Sequence, residues 1–282
     1  REAAAREPAA LIRGFRRDAL GIPVPTPAQR RRMLSAHAPI WRVETASSAD
    51  HPGRMRLGQK GRPQVSPERS VEYRYWSWTR LSGRVLPQLN YMIWFPERAP
   101  RGRFDIYAGH LDGVIWRVTL APGEGVLAYD SIHACGCYYT LLPGPGWRAV
   151  DSLPPHREPV FAPRSAPRPG PGERVRVALE RDRHYLLGAR AVPQGAADHA
   201  RPLQARAADR LRSLPLPGGG RASVYAPDGL IPASVRPERF LLWPLGVPSA
   251  GAMRQRGHHA IAFIGRRHFD DPRLLERLLR RR

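Results

Sequence analysis

Lysine is almost missing from this chain. Lys60 is the only one, although lysine and arginine together number 46 against 24 acidic residues, for a formal charge of +22. Every other basic side chain is therefore arginine, and alanine, proline and glycine are abundant as well. That joint bias is what a GC-rich genome produces without any ligand. The arginines run from Arg1 to Arg282, with short clusters only at Arg30-Arg31-Arg32 and Arg280-Arg281-Arg282, so the first reading of the charge is a solvated basic surface. The second is a surface that holds an anionic ligand or nucleic acid through arginine and exposed aromatics such as Trp76, Trp78 and Trp94.

Cysteine is scarce too. Two in 282 residues exclude a disulfide framework. No run of about 18 apolar residues occurs, so no transmembrane helix is predicted, and the first residues, Arg1-Glu2-Ala3, lack the basic start and apolar centre of a signal peptide. Localisation stays open. No nucleophile elbow, phosphate-binding loop or dinucleotide fingerprint is present, which disfavours nucleotide hydrolysis and hydride transfer.

What the chain does have is 42% hydrophobic residues, enough for a core, arranged in short strand-like segments. Ile40 to Thr45 alternates, and a polar connection from Ala46 to Pro67 follows. Val71 to Arg80 and Val85 to Phe95 form a hairpin across Ser82-Gly83, with Pro87 tolerable only at an edge or bulge. Further strands are predicted at Arg103 to Ala108, Val114 to Leu120, Val126 to Ile132, Arg174 to Leu179, His184 to Val192, Phe240 to Leu245 and Ala260 to Ile264. Helical spacing marks Glu2 to Leu20. Thr26 and Pro27 open a helix to about His37, and Asp270-Asp271-Pro272 opens another to about Arg280. The fold class is mainly β (α+β), a decorated antiparallel β-sandwich or open barrel with peripheral helices at both termini. Residues 1–39 form a helical segment and 40–282 one β-rich domain, with a Pro/Gly-rich excursion at about 143–172 and the closing helix at about 271–280.

The chemistry concentrates between Tyr91 and Tyr139. His110 and Asp112 flank Leu111 and would share a face if the backbone is extended. His133, Cys135 and Cys137 share the same parity one strand later. A nitrogen, a carboxylate and two thiols suit zinc or another divalent metal, with His110, Asp112, His133, Cys135 and Cys137 as ligands. His110, Asp112 and Asp130 are the candidate catalytic residues of a metal-assisted hydrolysis, in which the ion lowers the pKa of a bound water. A bond between the cysteines would close a strained ring, so a reduced, metal-binding or redox-sensitive pair is predicted. A thiolate beside His133 would alternatively be a nucleophile. The bland alternatives are an Asp112-Gly113 turn, a self-satisfied Asp130 and inert buried thiols, in a structural protein without a small-molecule site. A second cluster comprises His258, His259, His268, Asp270 and Asp271.

The run Tyr91-Met-Ile-Trp-Phe-Pro96, followed by Gly109-His110 and Trp116, resembles the necrosis-inducing-protein-like family of secreted β-sandwich proteins. There a Tyr-x-Trp-Tyr-Phe-Pro-type strand precedes a Gly-His-Arg-His-Asp-Trp-Glu motif. The resemblance covers about a tenth of the chain and implies the sandwich architecture and His110 as a site residue. Leu111 to Ile115 depart from the motif, so that family's membrane-damaging activity is not implied.

Overall fold

The computed structural model describes residue 12 and residues 14–153, 158–196, 203–242, 246–247, 249–260 and 268–282. A helix, α1 (Pro27–Ala36), starts where the sequence predicts. The Thr26 hydroxyl caps the Gln29 amide and the Gln29 side chain returns to the Thr26 amide. After it come β1 (Ile40–Val43), β2 (Val71–Leu81), β3 (Arg84–Arg98), β4 (Gly109–Ala121), β5 (Gly125–His133), β6 (Thr140–Pro143), β7 (Glu173–Leu179), β8 (Leu186–Pro193) and β9 (Gln204–Ala207). A short helix, α2 (Leu274–Leu278), lies near the C-terminus.

The fold is β-rich, and the described residues form several sheets and no closed barrel. Its centre is a six-stranded sheet in the order β6-β5-β4-β3-β2-β9. Ser82 and Gly83 both take positive φ, the primed turn whose twist matches a two-residue hairpin, and this sets the β2/β3 register. Pro87 faces Trp78 on β2, whereas the β3/β4 ladder starts one residue later at Gln88. The missing amide thus falls where β3 has a neighbour on one side only.

Both faces of this sheet are buried. Odd positions of β3 (Leu89, Tyr91, Ile93, Phe95) and even positions of β4 (Val114, Trp116, Val118) join Trp41, Val175, Val177 and Leu179 in one apolar cluster. That cluster lies between the central sheet and a second sheet, β8-β7-β1. The opposite face, with Met92, Trp94 and Ile115, is covered by Leu211, Met253, Phe269 and the leucines of α2. Double burial explains why β3 reads as a nearly continuous apolar run. It also forces its polar residues into pairs: Arg117 donates from Nε to Asp130 Oδ1 at 2.8 Å and from Nη1 to the Phe269 carbonyl at 2.6 Å, while Tyr139 donates to Asp130 Oδ2 at 3.0 Å.

Several expectations are corrected. The sheets are not wholly antiparallel, since β1 runs parallel to β7 and β9 parallel to β2; these strands reach their partners from far along the chain, so no short crossover is needed. The connection from Ala46 to Pro67 contains a hairpin, Arg54–Leu57 with Pro63–Ser66. Residues 99–108 form turns rather than a strand, because Asp105 accepts from the amides of Arg101 and Tyr107. Arg239–Leu242 is helical and Phe240 and Leu241 are exposed, while 243–245 and 261–267 lie outside the described residues. Arg16–Arg17 pairs with Pro23–Val24 as a short ladder, and most of the predicted first helix also lies outside the description. The closing helix spans only Leu274–Leu278, and Leu279–Arg281 turns into a strand against Trp147–Ala149. Among the described residues no helix is long and apolar enough to cross a membrane.

Breaking the Arg117–Asp130 pair should leave one buried charge unanswered. Arg117→Met is expected to cost about 3–5 kcal/mol in urea unfolding, and Arg117→Met/Asp130→Leu to recover most of it. A loss for the single variant below about 1 kcal/mol would show that the pair does not hold this face.

Candidate functional site

The predicted residues separate. Leu111 has φ of +61°, a left-handed conformation that breaks the extended geometry needed to put His110 and Asp112 on one face. Pro96, which lacks an amide, falls between the ladder pairs Phe95/Asp112 and Glu97/His110 at this point. His110 Nε2 meets the Pro63 carbonyl at 2.7 Å, and Asp130 is held in the Arg117 pair, so neither reaches Asp112. The strand that carries His133 also ends there. The His133 amide donates to the Cys137 carbonyl and the Gly136 amide to the His133 carbonyl, which makes 133–137 a tight loop and invalidates the parity argument for the two cysteines.

Asp112 and His133 do meet. Asp112 faces Phe95 and His133 faces Val114 in the ladders, so the two side chains share the face toward the second sheet, with Asp112 Oδ1 3.4 Å from His133 Nδ1. Around Asp112 the fold assembles groups from distant segments. His184 Nδ1 lies 2.9 Å from Oδ2, the Gly113 amide donates to Oδ1 at 2.9 Å, and Arg236 Nη2 stands 3.7 Å away while donating to the Leu111 carbonyl. The His184 ring stacks on Phe95 at 3.6 Å, and its Nε2 is 3.4 Å from Asp50 Oδ1. Burial opposes ionisation of Asp112, yet His133, then His184 and Arg236, hold its carboxyl well below the usual range. Burial conversely lowers His133 below an ordinary imidazole, with Asp112 resisting. His133 is thus a neutral base backed by a carboxylate. It is 3% exposed, and neither ring nitrogen makes a hydrogen bond among the described residues.

In front of His133 stand Tyr138 and Tyr185, with ring centroids 4.9 and 5.8 Å from it. Both phenolic oxygens accept from Arg98, at 3.4 and 3.0 Å. The Arg98 guanidinium also lies over the rings of Tyr107, Tyr138 and Tyr185 at 5.3–5.7 Å. Arg98 and Tyr185 border a cleft of about 430 Å³ completed by Arg101, Arg103, Phe104, Asp105, Tyr107 and Arg183. Arg101 is answered by Glu180 and Asp182 at 3.2 and 3.4 Å. Arg98 is 3% exposed, and among the described residues no carboxylate lies within 4.0 Å of it. A separate cavity of about 450 Å³ beside Trp41, Pro67 and Arg176 has Asp50 in its wall, but it lacks this concentration of cations and rings.

Four non-glycine residues with left-handed backbone surround the site: Leu111, Tyr138, Asp182 and His184. Such conformations cost of order 1 kcal/mol or more each and collect where a side chain is held for use. Sequence reasoning missed His184, Arg236 and Asp50, which are far from Asp112 along the chain, and Arg98, which pairs with Gly109 on the neighbouring strand; Tyr138 was adjacent to the predicted cysteines. Among the described residues no group of three or more His, Cys, Asp and Glu side chains is arranged to hold a metal ion. The second predicted cluster reduces to His259 Nδ1 on Asp270 Oδ2 at 2.8 Å.

Folded His133 takes a proton less readily than the unfolded imidazole at 6.5, and burial together with Arg174 brings His37 down to about 4. Acid therefore favours the unfolded chain: stability should decline from about pH 6.5 toward 4. A further decline follows below the unfolded aspartate value of 3.8, as the depressed Asp112 is protonated. Melting temperatures measured from pH 7.5 to 4.5 should fall, and less steeply for His133→Gln. Equal slopes for the two proteins would mean that His133 titrates freely in the fold. No protein-family model matches the sequence, and neither the curated proteins nor the solved structures include a significant match to it.

Proposed function

We propose that this protein binds a small organic anion at Arg98 and that His133, backed by Asp112, exchanges a proton with the bound molecule. The observation that carries the reading is the Arg98 guanidinium: a buried charge whose nearest acceptors are neutral phenols. Asp112, Asp105 and Glu238 act on it only from beyond ion-pair distance, so part of the cost of burying the ion is left, and an anion entering the cleft offsets it. Arg103 and Arg183 add positive potential at the mouth, and Phe104, Tyr107 and Tyr185 supply ring faces, which fits a carboxylate or phosphate carried on a planar group.

The proton step uses the groups behind the cleft. His133 Nδ1 faces Asp112 Oδ1 at 3.4 Å, which leaves Nε2 to receive a proton from an O–H or acidic C–H of the ligand. Its electron pair stays on the ligand beside Arg98, and Asp112 stabilises the imidazolium. The long 3.4 Å contact tightens as positive charge forms on the ring. Tyr138, 41% exposed, covers His133 from solvent, and rotation of its ring opens the way. A polyanion is the other occupant of an arginine-rich surface; the concave shape and the ring-lined wall favour a small molecule.

Calorimetry with phenyl phosphate and benzoate, each in two buffers of different ionisation enthalpy at pH 6, tests both halves. Binding should weaken about 10- to 100-fold in Arg98→Gln and in the less buried Arg183→Gln, the range expected for one charge-assisted contact. An anion beside His133 raises its pKa, so binding should take up a fraction of a proton, lost in His133→Gln with affinity changed by less than about threefold. Absence of binding, or binding indifferent to both arginines, overturns the reading. Binding without proton uptake removes the acid–base role and leaves a binding protein.

A further inference from the structure

Directly after His133 comes a feature that the anion site does not use, the turn 134–137 with its two thiols. Its backbone is fixed at every side. The Ala134 amide donates to the Gly113 carbonyl at 2.8 Å, and the Arg254 amide donates to the Ala134 carbonyl at 2.8 Å. Arg254 Nε donates to the Cys135 carbonyl at 3.1 Å. Gly136 has φ of +96°, and a Cβ on it would come within 2.1 Å of the Ala260 carbonyl oxygen. No other residue fits that turn, which brings the chain back so that the Cys137 amide donates to Cys135 Sγ at 3.4 Å. The two thiols lie within hydrogen-bonding reach of each other. Cys135 is buried and Cys137 half-buried, so the pair is reached through Cys137.

We propose that Cys135 and Cys137 form a two-coordinate site for a soft monovalent ion of the Cu(I) type. Thiolates select such ions over harder divalent ones, and two sulfurs on a rigid turn meet a two-coordinate requirement that needs no third protein ligand. Binding replaces two S–H protons by one metal ion: two thiols and Cu⁺ give a dithiolate complex of charge −1 and release two protons, with no change in oxidation state. Arg254, whose Nε donates to the Cys135 carbonyl, is the cation nearest the loop and offsets that charge, while Arg236 is shared with Asp112. A hydrogen-bonded structural pair would show the same loop, but the half-open Cys137 and the adjacent Arg254 favour a site that admits an ion and takes on negative charge.

Anaerobic titration of the reduced full chain with Cu(I) against a chromogenic Cu(I) chelator tests this. One ion per chain should be retained, about 100-fold more weakly in Cys135→Ser and in Cys137→Ser, and unchanged in His133→Gln and Arg98→Gln. Circular dichroism of each variant checks that the fold survives. Copper remaining wholly with the chelator, or held equally by both serine variants, overturns the proposal. A loss in His133→Gln as large as in the serine variants would make the imidazole a third ligand and overturn the two-coordinate form. None of these outcomes depends on whether an anion binds at Arg98.

Discussion

The contact between the Asp112 carboxylate and its two imidazoles is the constraint around which this end of the molecule is built. A carboxylate with no exposure must find compensation within the fold, and each of its partners comes from a different part of the chain: His133 from β5, His184 from the turn between β7 and β8, Arg236 from beyond residue 230. One charge thus ties the central sheet to the second sheet and to the C-terminal third. A sheet end that had only to be stable would be filled more cheaply with leucine, because well-packed apolar residues match or exceed buried ion groups. The polar arrangement therefore fixes the geometry of this sheet end without adding to its stability.

Backbone strain leads to the same place by a separate route. Leu111 turns left-handed immediately before Asp112, next to a proline that cannot complete the ladder, and His184 does so at the position that meets Asp112 from the other sheet. Relaxing either residue would swing its carboxylate or imidazole out of contact. The ion network and the strained backbone hold each other in place, and this is how a site gains geometric definition at the cost of local stability.

Much of the fold was legible because its signals are local. The Thr26 cap, the Ser82-Gly83 turn and the short strand runs of β4 and β5 depend on neighbours in sequence, and each appears where its residues predict. The site was legible only in part. Asp112 and His133 stand out because they end successive strands that pair with each other. His110 was misread because the argument assumed extended backbone through Leu111, and the cysteines because it assumed a strand through Gly136. Arg98 ends the strand that pairs with the one carrying Asp112 but was passed over as one arginine among many, whereas His184 and Arg236 reach Asp112 only by tertiary packing, so no spacing rule could have found them. The parallel pairings of β1 and β9 were missed for the same reason: their partners lie more than a hundred residues away.

The charge of +22 shows how a composition can mislead about where binding resides. An arginine in water gains little from any partner and loses most of that to salt, so the exposed majority carries little information. The buried ones differ. Arg117 is matched by Asp130, Arg236 lies against Asp112 and the Leu111 carbonyl, and Arg254 is turned onto the carbonyls of Cys135 and Ser249. Arg98 is held by three tyrosines, which stabilise a cation through ring faces and phenolic oxygens without cancelling its charge. A guanidinium fixed in this way keeps its attraction for an anion and has already lost the side-chain freedom that binding would otherwise cost. The two tyrosine rings that hold Arg98 also stand against the His133 ring, so the cation and the imidazole with its carboxylate are coupled through Tyr138 and Tyr185.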